Sequence, residues 1–456
     1  MKRTAIFIMA VLILSFLFIG GGREKEGVTI NYLATSEIQE LMLQDLIPLF
    51  EEETGINVEM EMLGHEEGTS KMKLEASKGS DTYDMWCHHS YNHGPFYFNG
   101  WVANLDELSE QTGIDLNIDD MAGTVELLGQ LDGVTYGMPF LLAILGVNQY
   151  RADLFEDPAE KEAFKAKYGY ELKSPRNWSE YADIAEFFTR DTDGDGEIDF
   201  WGNNSVLAAD GSIYDMWLIR YLGKVVPRDA VPEYNYLFTK ELQPRFNSKA
   251  GIEAIEQIAE LFQKGYTYPG SLAMNWAQIV EPQSNGQSAM AYMWAETILP
   301  SMVPANSKYA EVSKWAPIPY DAVPRMEIGG WIQMINAKSK NKEAAFEFLA
   351  WCSRPDIEYK LIMETDYWKV PLRAENRKKS EIYGDFDFYT VATDMLDEYE
   401  VLRELFLPEI DIVQIALNTE LQRVVVGEKD AKTALDDAAE EIVEGFEEAG
   451  AFDRVK

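Results

Sequence analysis

The segment TRDTDGDGEIDFWG, residues 189–202, sets carboxylates at alternate positions: Asp191, Asp193, Asp195 and, beyond Gly196, Asp199. Counted from Asp191, this is the opening of an EF-hand loop. In such a loop alternate oxygens converge on calcium, glycine at the sixth position permits the turn, and the seventh residue, here Glu197, lends its backbone carbonyl. The twelfth position, where a bidentate glutamate would close the shell, holds Gly202. The spacing predicts a structural calcium ion held by Asp191, Asp193, Asp195, Glu197 and Asp199, with water or another segment completing the coordination. The plainer alternative is an exposed Asp/Gly turn. A calcium switch would need the closing glutamate and a helix on both sides, so the loop reads as a staple rather than a signal.

A second cluster, Cys87-His88-His89 with His93 four residues on, offers a thiolate and three imidazoles of the kind that hold zinc or copper. Adjacent residues on one strand or loop do not readily aim at one ion, so an exported metal-binding protein is the rival reading. The 78 acidic residues could also hide a catalytic carboxylate pair of an exported carbohydrate-active enzyme. Abundance alone is poor support for that, and neither Gly-X-Ser-X-Gly nor His-Glu-X-X-His occurs.

The elements that must position these residues follow from periodicity. Val28 to Leu33 is β-prone, Ile38 to Glu52 has apolar residues at helical spacing with Gly55 as its stop, and Ile56 to Leu63 alternates. A helix over about 69–78 then leads to DTYDMWCHH. Strands alternating with helices predict an α/β body with a parallel sheet covered by helices. The strand before MWCHHSYNHGPFYFNGW delivers that stretch at its C-terminal end, where open α/β sheets bind ligands. Further on the pattern is helix-rich. Ser179 is a candidate cap for one helix, Asn247 or Ser248 caps another that Gly265 stops, and DAKTALDDAAEEIVEGFEEAG is an acidic amphipathic helix.

At 456 residues the chain calls for two domains. Residues 1–22 order Lys2 and Arg3, an apolar run and Gly20 to Gly22 as a secretory signal does, so the body is expected outside the cytoplasm. An uncleaved anchor is the alternative. A net charge of −38 repels nucleic acid and anionic lipid. Cys87 and Cys352 are the only cysteines and make no disulfide framework. No cysteine follows the apolar run, so lipid anchoring is unsupported.

Several phrases together resemble bacterial extracellular solute-binding proteins of the maltose-binding-like, carbohydrate-uptake class. They are DGVTYGMPFLLAILGVNQYRADLF, SPRNWSEYADIA, NGQSAMAYMW, GGWIQMINAKSKNKEAAFEFLAWC and GEKDAKTALDDAAEEI, in the family's order from about Val28 to Phe446. The resemblance implies a two-lobed periplasmic-binding-protein-like α/β fold (type II). A sugar, oligosaccharide or sugar alcohol would be clamped in the interdomain cleft of a monomer and delivered to the transmembrane subunits of an ABC permease, without catalysis. It places hinges near Pro139 to Leu145, Trp315 to Tyr320 and Ala337 to Lys342. Lobe 1 is then 23–143 plus 316–340, and lobe 2 is 144–315 plus 341–456.

Aromatic faces stack on sugar rings, and polar side chains pair with hydroxyls, which a site of this kind must satisfy to discriminate. Carried over from the family, Trp331 after Gly329 and Gly330 enters the cleft, and Trp86 with His89 lies at the strand-end loop beside His88 and Ser90. Trp294 stands near the second-lobe platform, although Met293 replaces the usual glycine before it. Tyr214 and Trp217 share one helix face, which the resemblance turns toward the cleft; the alternative is a Tyr/Trp stripe with at least one of the two packed in the core. Ser36 and Glu37, in the first strand-to-helix loop, could pair with hydroxyls, or Ser36 could simply cap the helix.

Overall fold

A computed structural model describes residues 27–454 except 36–37, 122–123, 210–211, 225–235, 365–368, 380–381, 383–386 and 404. The leader 1–22, Ser36 and Glu37 therefore lie outside the described residues. Among the described residues no helix is long and apolar enough to cross a membrane.

The strands are β1 (Thr29–Thr35), β2 (Asn57–Leu63), β3 (Met85–His89), β4 (Gln130–Leu131), β5 (Val134–Thr135), β6 (Gly137–Arg151), β7 (Trp201–Asn204), β8 (Ser288–Trp294), β9 (Ser313–Pro317), β10 (Arg325–Ile335) and β11 (Glu400–Arg403). β4 and β5 form a hairpin, and the rest make one sheet in the order β2-β1-β3-β10-β6-β8-β7, with β11 added to β10 and β9 to β6. β2, β1 and β3 are parallel, whereas β10 runs antiparallel to β3 and β6 antiparallel to β10. The sheet is thus mixed rather than wholly parallel. Strand–helix alternation forces parallel pairing only where a crossover helix returns the chain, as it does between β1 and β3.

β6 belongs to both lobes. Gly137 to Leu145 pair with β10, and Val147 to Arg151 pair with β9 on one side and, up to Tyr150, with β8 on the other. Gly146 stands at the change of partner, with φ +105° and a register break against β8. A Cβ there would lie 2.1 Å from Ile219 Cδ1. Glycine supplies both the backbone angle and the close approach. The first crossing is therefore Gly146, just beyond the expected Pro139–Leu145, and the second is the segment 318–324 between β9 and β10.

The third expected hinge is placed differently. Ala337 donates its N–H to the Trp101 carbonyl at 2.9 Å, and the helix Lys342–Cys352 packs Phe348 edge-on to Tyr32 and Phe50. Trp351 Nε1 donates to Glu53 Oε2 at 2.9 Å. Residues 337–352, divided between the lobes in the sequence reading, thus complete the core under β1. The chain reaches the second lobe again at the helix Ile410–Val425, which packs against the helices Lys249–Gln263 and Ala431–Glu448. Local chemistry starts and stops these elements. The helix Trp178–Phe188 is capped by Asn177, whose Oδ1 accepts from Glu180 N at 2.9 Å, two residues before the expected Ser179. Asp430 caps Ala431–Glu448 through Thr433 N at 3.0 Å.

Candidate functional site

β3 and β10 lie in antiparallel register with His89 opposite Trp331. Their rings meet edge to face at 4.7 Å, an arrangement that aromatic quadrupoles favour. The His89 ring is also 6.0 Å from Trp294, again edge to face, and 5.0 Å from Tyr91. Trp294 ends β8, so two strands of the first lobe and one of the second bring three aromatic side chains to the lobe junction. They are 7, 7 and 8% exposed for His89, Trp331 and Trp294. The Trp294 indole is aimed by Asp215, whose Oδ2 accepts from Nε1 at 2.9 Å. Trp331 Nε1 is buried and has no hydrogen-bond partner among the described residues, leaving a donor at the junction.

Ser90 Oγ accepts from Gly330 N at 3.1 Å and so ties the strand-end loop to β10. Gly330 has φ +153°, and a Cβ on it would lie 2.0 Å from the Leu141 carbonyl oxygen. Its lack of a side chain thus serves the packing of β10 on β6, where the family pattern led us to expect approach to a ligand. Two residues at the junction escaped the sequence reading. His65 Nε2 and the Tyr91 hydroxyl are 2.5 Å apart, and Tyr91 in turn faces His89. Tyr91 was legible as the second residue beyond His89; His65, far off in sequence, carried no signal.

Strand alternation explains the residues that point elsewhere. His89 and Cys87 share one face of β3, and Trp86 and His88 take the other. Trp86 is fully buried with its ring 5.5 Å from Phe96, edge to face. His88 packs at 4.7 Å from both His93 and Phe96, and its Nδ1 lies 3.0 Å from the His89 carbonyl. Burial pushes His88 down to a pKa of about 3. The expected pairing of Trp86 with His89, and the place of His88 beside them, is thereby corrected. An odd step along a strand reverses the face.

The same alternation separates Cys87 from His88 and His93, the latter held at 3.2 Å from the His88 carbonyl. The four residues of the rival metal cluster do not converge. Among the described residues the group that could hold an ion is Asp191, Asp193 and Asp195, whose oxygens lie within 4.8 Å of one another. Asp191 Oδ1 accepts from Gly194 N at 2.6 Å and Oδ2 from Gly196 N at 2.8 Å. Those backbone donors hold its carboxyl below the usual range. Asp199 turns to Thr192, accepting from its N at 2.8 Å and its Oγ1 at 2.7 Å. Arg190 and Phe200 close the base of the loop through paired backbone hydrogen bonds.

In the second lobe Trp217 is fully buried, stacks on Tyr221 at 5.0 Å and donates from Nε1 to the Gly251 carbonyl at 2.9 Å. It is a core residue, which corrects its expected place at the ligand. Tyr214, one turn earlier, is buried, with its ring 6.2 Å from Trp217 and its backbone N–H donating to Asn418 Oδ1 at 2.9 Å. The structure thus brings together Trp331, His89, Trp294 and Ser90, and sets Trp86, His88, Trp217 and Tyr214 in the surrounding core. A further contact links the lobes: the Tyr236 hydroxyl donates to Glu327 on β10.

The chain is similar to a probable amino-acid ABC transporter periplasmic-binding protein of Sinorhizobium fredii, 25% identical over 312 residues, or 68% of this chain. It spans 64% of the length of that relative. It is also similar to an erythritol/L-threitol-binding protein of Mycolicibacterium smegmatis, 22% identical over 369 residues that cover 77% of this chain and 72% of the other. Among solved structures, an ABC transporter solute-binding protein of Agrobacterium radiobacter in complex with ribitol matches with a TM-score of 0.73 at 21% identity. That match covers 92% of this chain and 99% of the other. Residues 33–358 carry the pattern of the bacterial extracellular solute-binding proteins, and the chain belongs to that family.

Proposed function

We propose that this protein is the solute-binding component of an ABC importer. It takes a small sugar alcohol or sugar between its lobes and presents it, unchanged, to the transmembrane subunits of a permease. The observation that carries the reading is the meeting of Trp331, His89 and Trp294 from both lobes at one junction. A ligand seated there touches both halves, so its burial is coupled to lobe closure. Indole faces suit the C–H surface of a polyol, and the His89 imidazole and the Trp331 N–H are hydrogen-bonding partners for its hydroxyls. The relatives that bind erythritol or L-threitol and ribitol support this class; the amino-acid relative supplies the competing one.

Export by the leader at residues 1–22 and action as a monomer outside the cytoplasm belong to the same proposal. So does a structural calcium ion at Asp191, Asp193, Asp195 and the Glu197 carbonyl, with Asp199 turned to Thr192 and outside that converging group. The test is a titration of alditols, sugars and amino acids, followed by tryptophan fluorescence and by product analysis. A saturable change with a four- to six-carbon alditol and no product supports the reading. Saturation by amino acids alone, or turnover of any sugar, refutes it.

A further inference from the structure

We propose that the second lobe contains a buried site for a small monovalent anion, chloride in size and charge, centred on Arg220. The site is separate from the lobe junction, so it stands or falls independently of the solute-binding reading.

Arg220 is 1% exposed. Its guanidinium lies 3.8 Å from the face of Trp178 and 5.2 Å from that of Tyr292, and Nε donates to the Tyr292 hydroxyl at 3.1 Å. The ring faces attract the charge but accept none of its remaining N–H bonds in the plane of the fork. Among the described residues no carboxylate or carbonyl receives Nη1 or Nη2. A guanidinium does not escape by losing its proton, and a buried charge left without a counter-charge is heavily penalised.

Other buried cations of the molecule are compensated. Lys224 has Asp321 at 2.7 Å, Arg325 has Glu400 at 2.7 Å and Lys369 has Glu358 at 3.5 Å. Arg373 donates to the carbonyls of Ser353, Asn117 and Leu116. Arg220 departs from that rule, and its surroundings depart with it. Trp178 Nε1 and both amide atoms of Asn148 are buried without hydrogen-bond partners among the described residues. Asn148 sits opposite Tyr292 between β6 and β8, and Ser205 follows Asn204, which pairs with Ala291. Asn148 and Ser205 thus flank Tyr292, the strand residue whose hydroxyl receives the Arg220 Nε–H.

Indole N–H, amide NH2 and guanidinium offer more donors than the one unpartnered acceptor, Asn148 Oδ1, can take, and none of these groups brings negative charge. A small monovalent ion meets that need at the lowest desolvation cost. Seated there, it would brace the contact of the helices Trp178–Phe188 and Ser212–Leu222 with the sheet. Tyr292 is two residues from Trp294 on the same face of β8, so the ion would also stiffen the strand that carries the second-lobe indole.

Thermal melting of the whole chain at constant ionic strength tests this, with chloride exchanged against sulfate. The wild-type melting temperature is expected to rise by about 2 °C for each tenfold increase in chloride above the dissociation constant. Arg220→Met should lose that response. Independently, the chloride NMR line should broaden in the presence of the wild-type protein and sharpen again when bromide is added. A wild-type melting temperature flat in chloride together with an unbroadened line overturns the proposal. So does an equal chloride response in Arg220→Met, which would mark a general salt effect. Should Arg220→Met fail to fold, the line broadening of the wild type and its reversal by bromide decide the matter.

Discussion

Trp331 touches His89 across the β3–β10 ladder and its indole N–H has no partner among the described residues, which makes it the residue on which solute binding should depend most. Trp331→Ala is expected to weaken binding of the best alditol by about 2 kcal/mol or more, as for a central aromatic anchor, with the circular dichroism unchanged. Retained affinity in calorimetric titration would remove Trp331 from the site. A residue-scale prediction of another kind concerns His88, held neutral by burial with a pKa of about 3 against 6.5 for the free side chain. Between those values the unfolded chain binds a proton that the folded chain refuses. This contribution to stability is whole above pH 6.5 and is lost as the pH falls toward 3. His88→Gln should therefore flatten the fall of melting temperature over that window, and parallel profiles for the two proteins would contradict it. The family resemblance pointed to Trp331, His89 and Trp294, which the structure brings together. It misplaced Trp86, because a motif spacing of three residues ignores which face of a strand each one takes.

The elements were legible where a local signal marks them and illegible where a distant partner decides. Strand β1, the helix after it and its stop at Gly55 could be read from spacing. That the helix Lys342–Cys352 belongs beneath β1 could not, since Phe348 and Trp351 find Tyr32 and Phe50 only in three dimensions. The long strand β6 carries the element-scale prediction. Gly146→Ala demands a left-handed backbone of a residue with a Cβ and drives that Cβ into Ile219. A loss of about 1–3 kcal/mol in denaturant unfolding is expected, and adding Ile219→Val should restore only part of it, because the dihedral strain remains. Full rescue would assign the cost to the side-chain clash alone. The loop 190–200 makes a contrasting case, because its backbone already wraps the carboxylates of Asp191, Asp193 and Asp195. Asp193→Asn, or a chelator, should lower the melting temperature in calcium buffer while leaving alditol affinity within about twofold, the difference expected of a remote site. A large affinity loss in a folded Asp193→Asn protein would refute a purely structural ion.

At the scale of the whole molecule, the two lobes share one sheet through β6 and are separately bridged where the chain passes from β9 to β10. Closure would therefore turn about Gly146, the segment 318–324 and the passage that leads into the helix Ile410–Val425. Three side-chain contacts among the described residues illustrate how the lobes meet. Trp294 reaches His89, Tyr236 reaches Glu327, and Lys73 on the first-lobe helix His65–Ser77 lies 3.3 Å from Asp411. The last of these is exposed and screened, so the ion pair contributes little, and the aromatic junction and the buried Tyr236–Glu327 hydrogen bond weigh more. A solute that fills the junction should then shift the population toward the closed form by its differential affinity alone. Small-angle scattering of the wild type is expected to give a smaller radius of gyration at saturating ribitol than without it. Trp294→Ala removes the second lobe's share of the contact while leaving Trp331 and His89 in place. That variant should bind ribitol more weakly and, even when saturated, contract less than the wild type. Contraction equal to the wild type would mean that the second-lobe indole does not couple solute to closure, and no contraction in either protein would deny that the lobes clamp the solute at all.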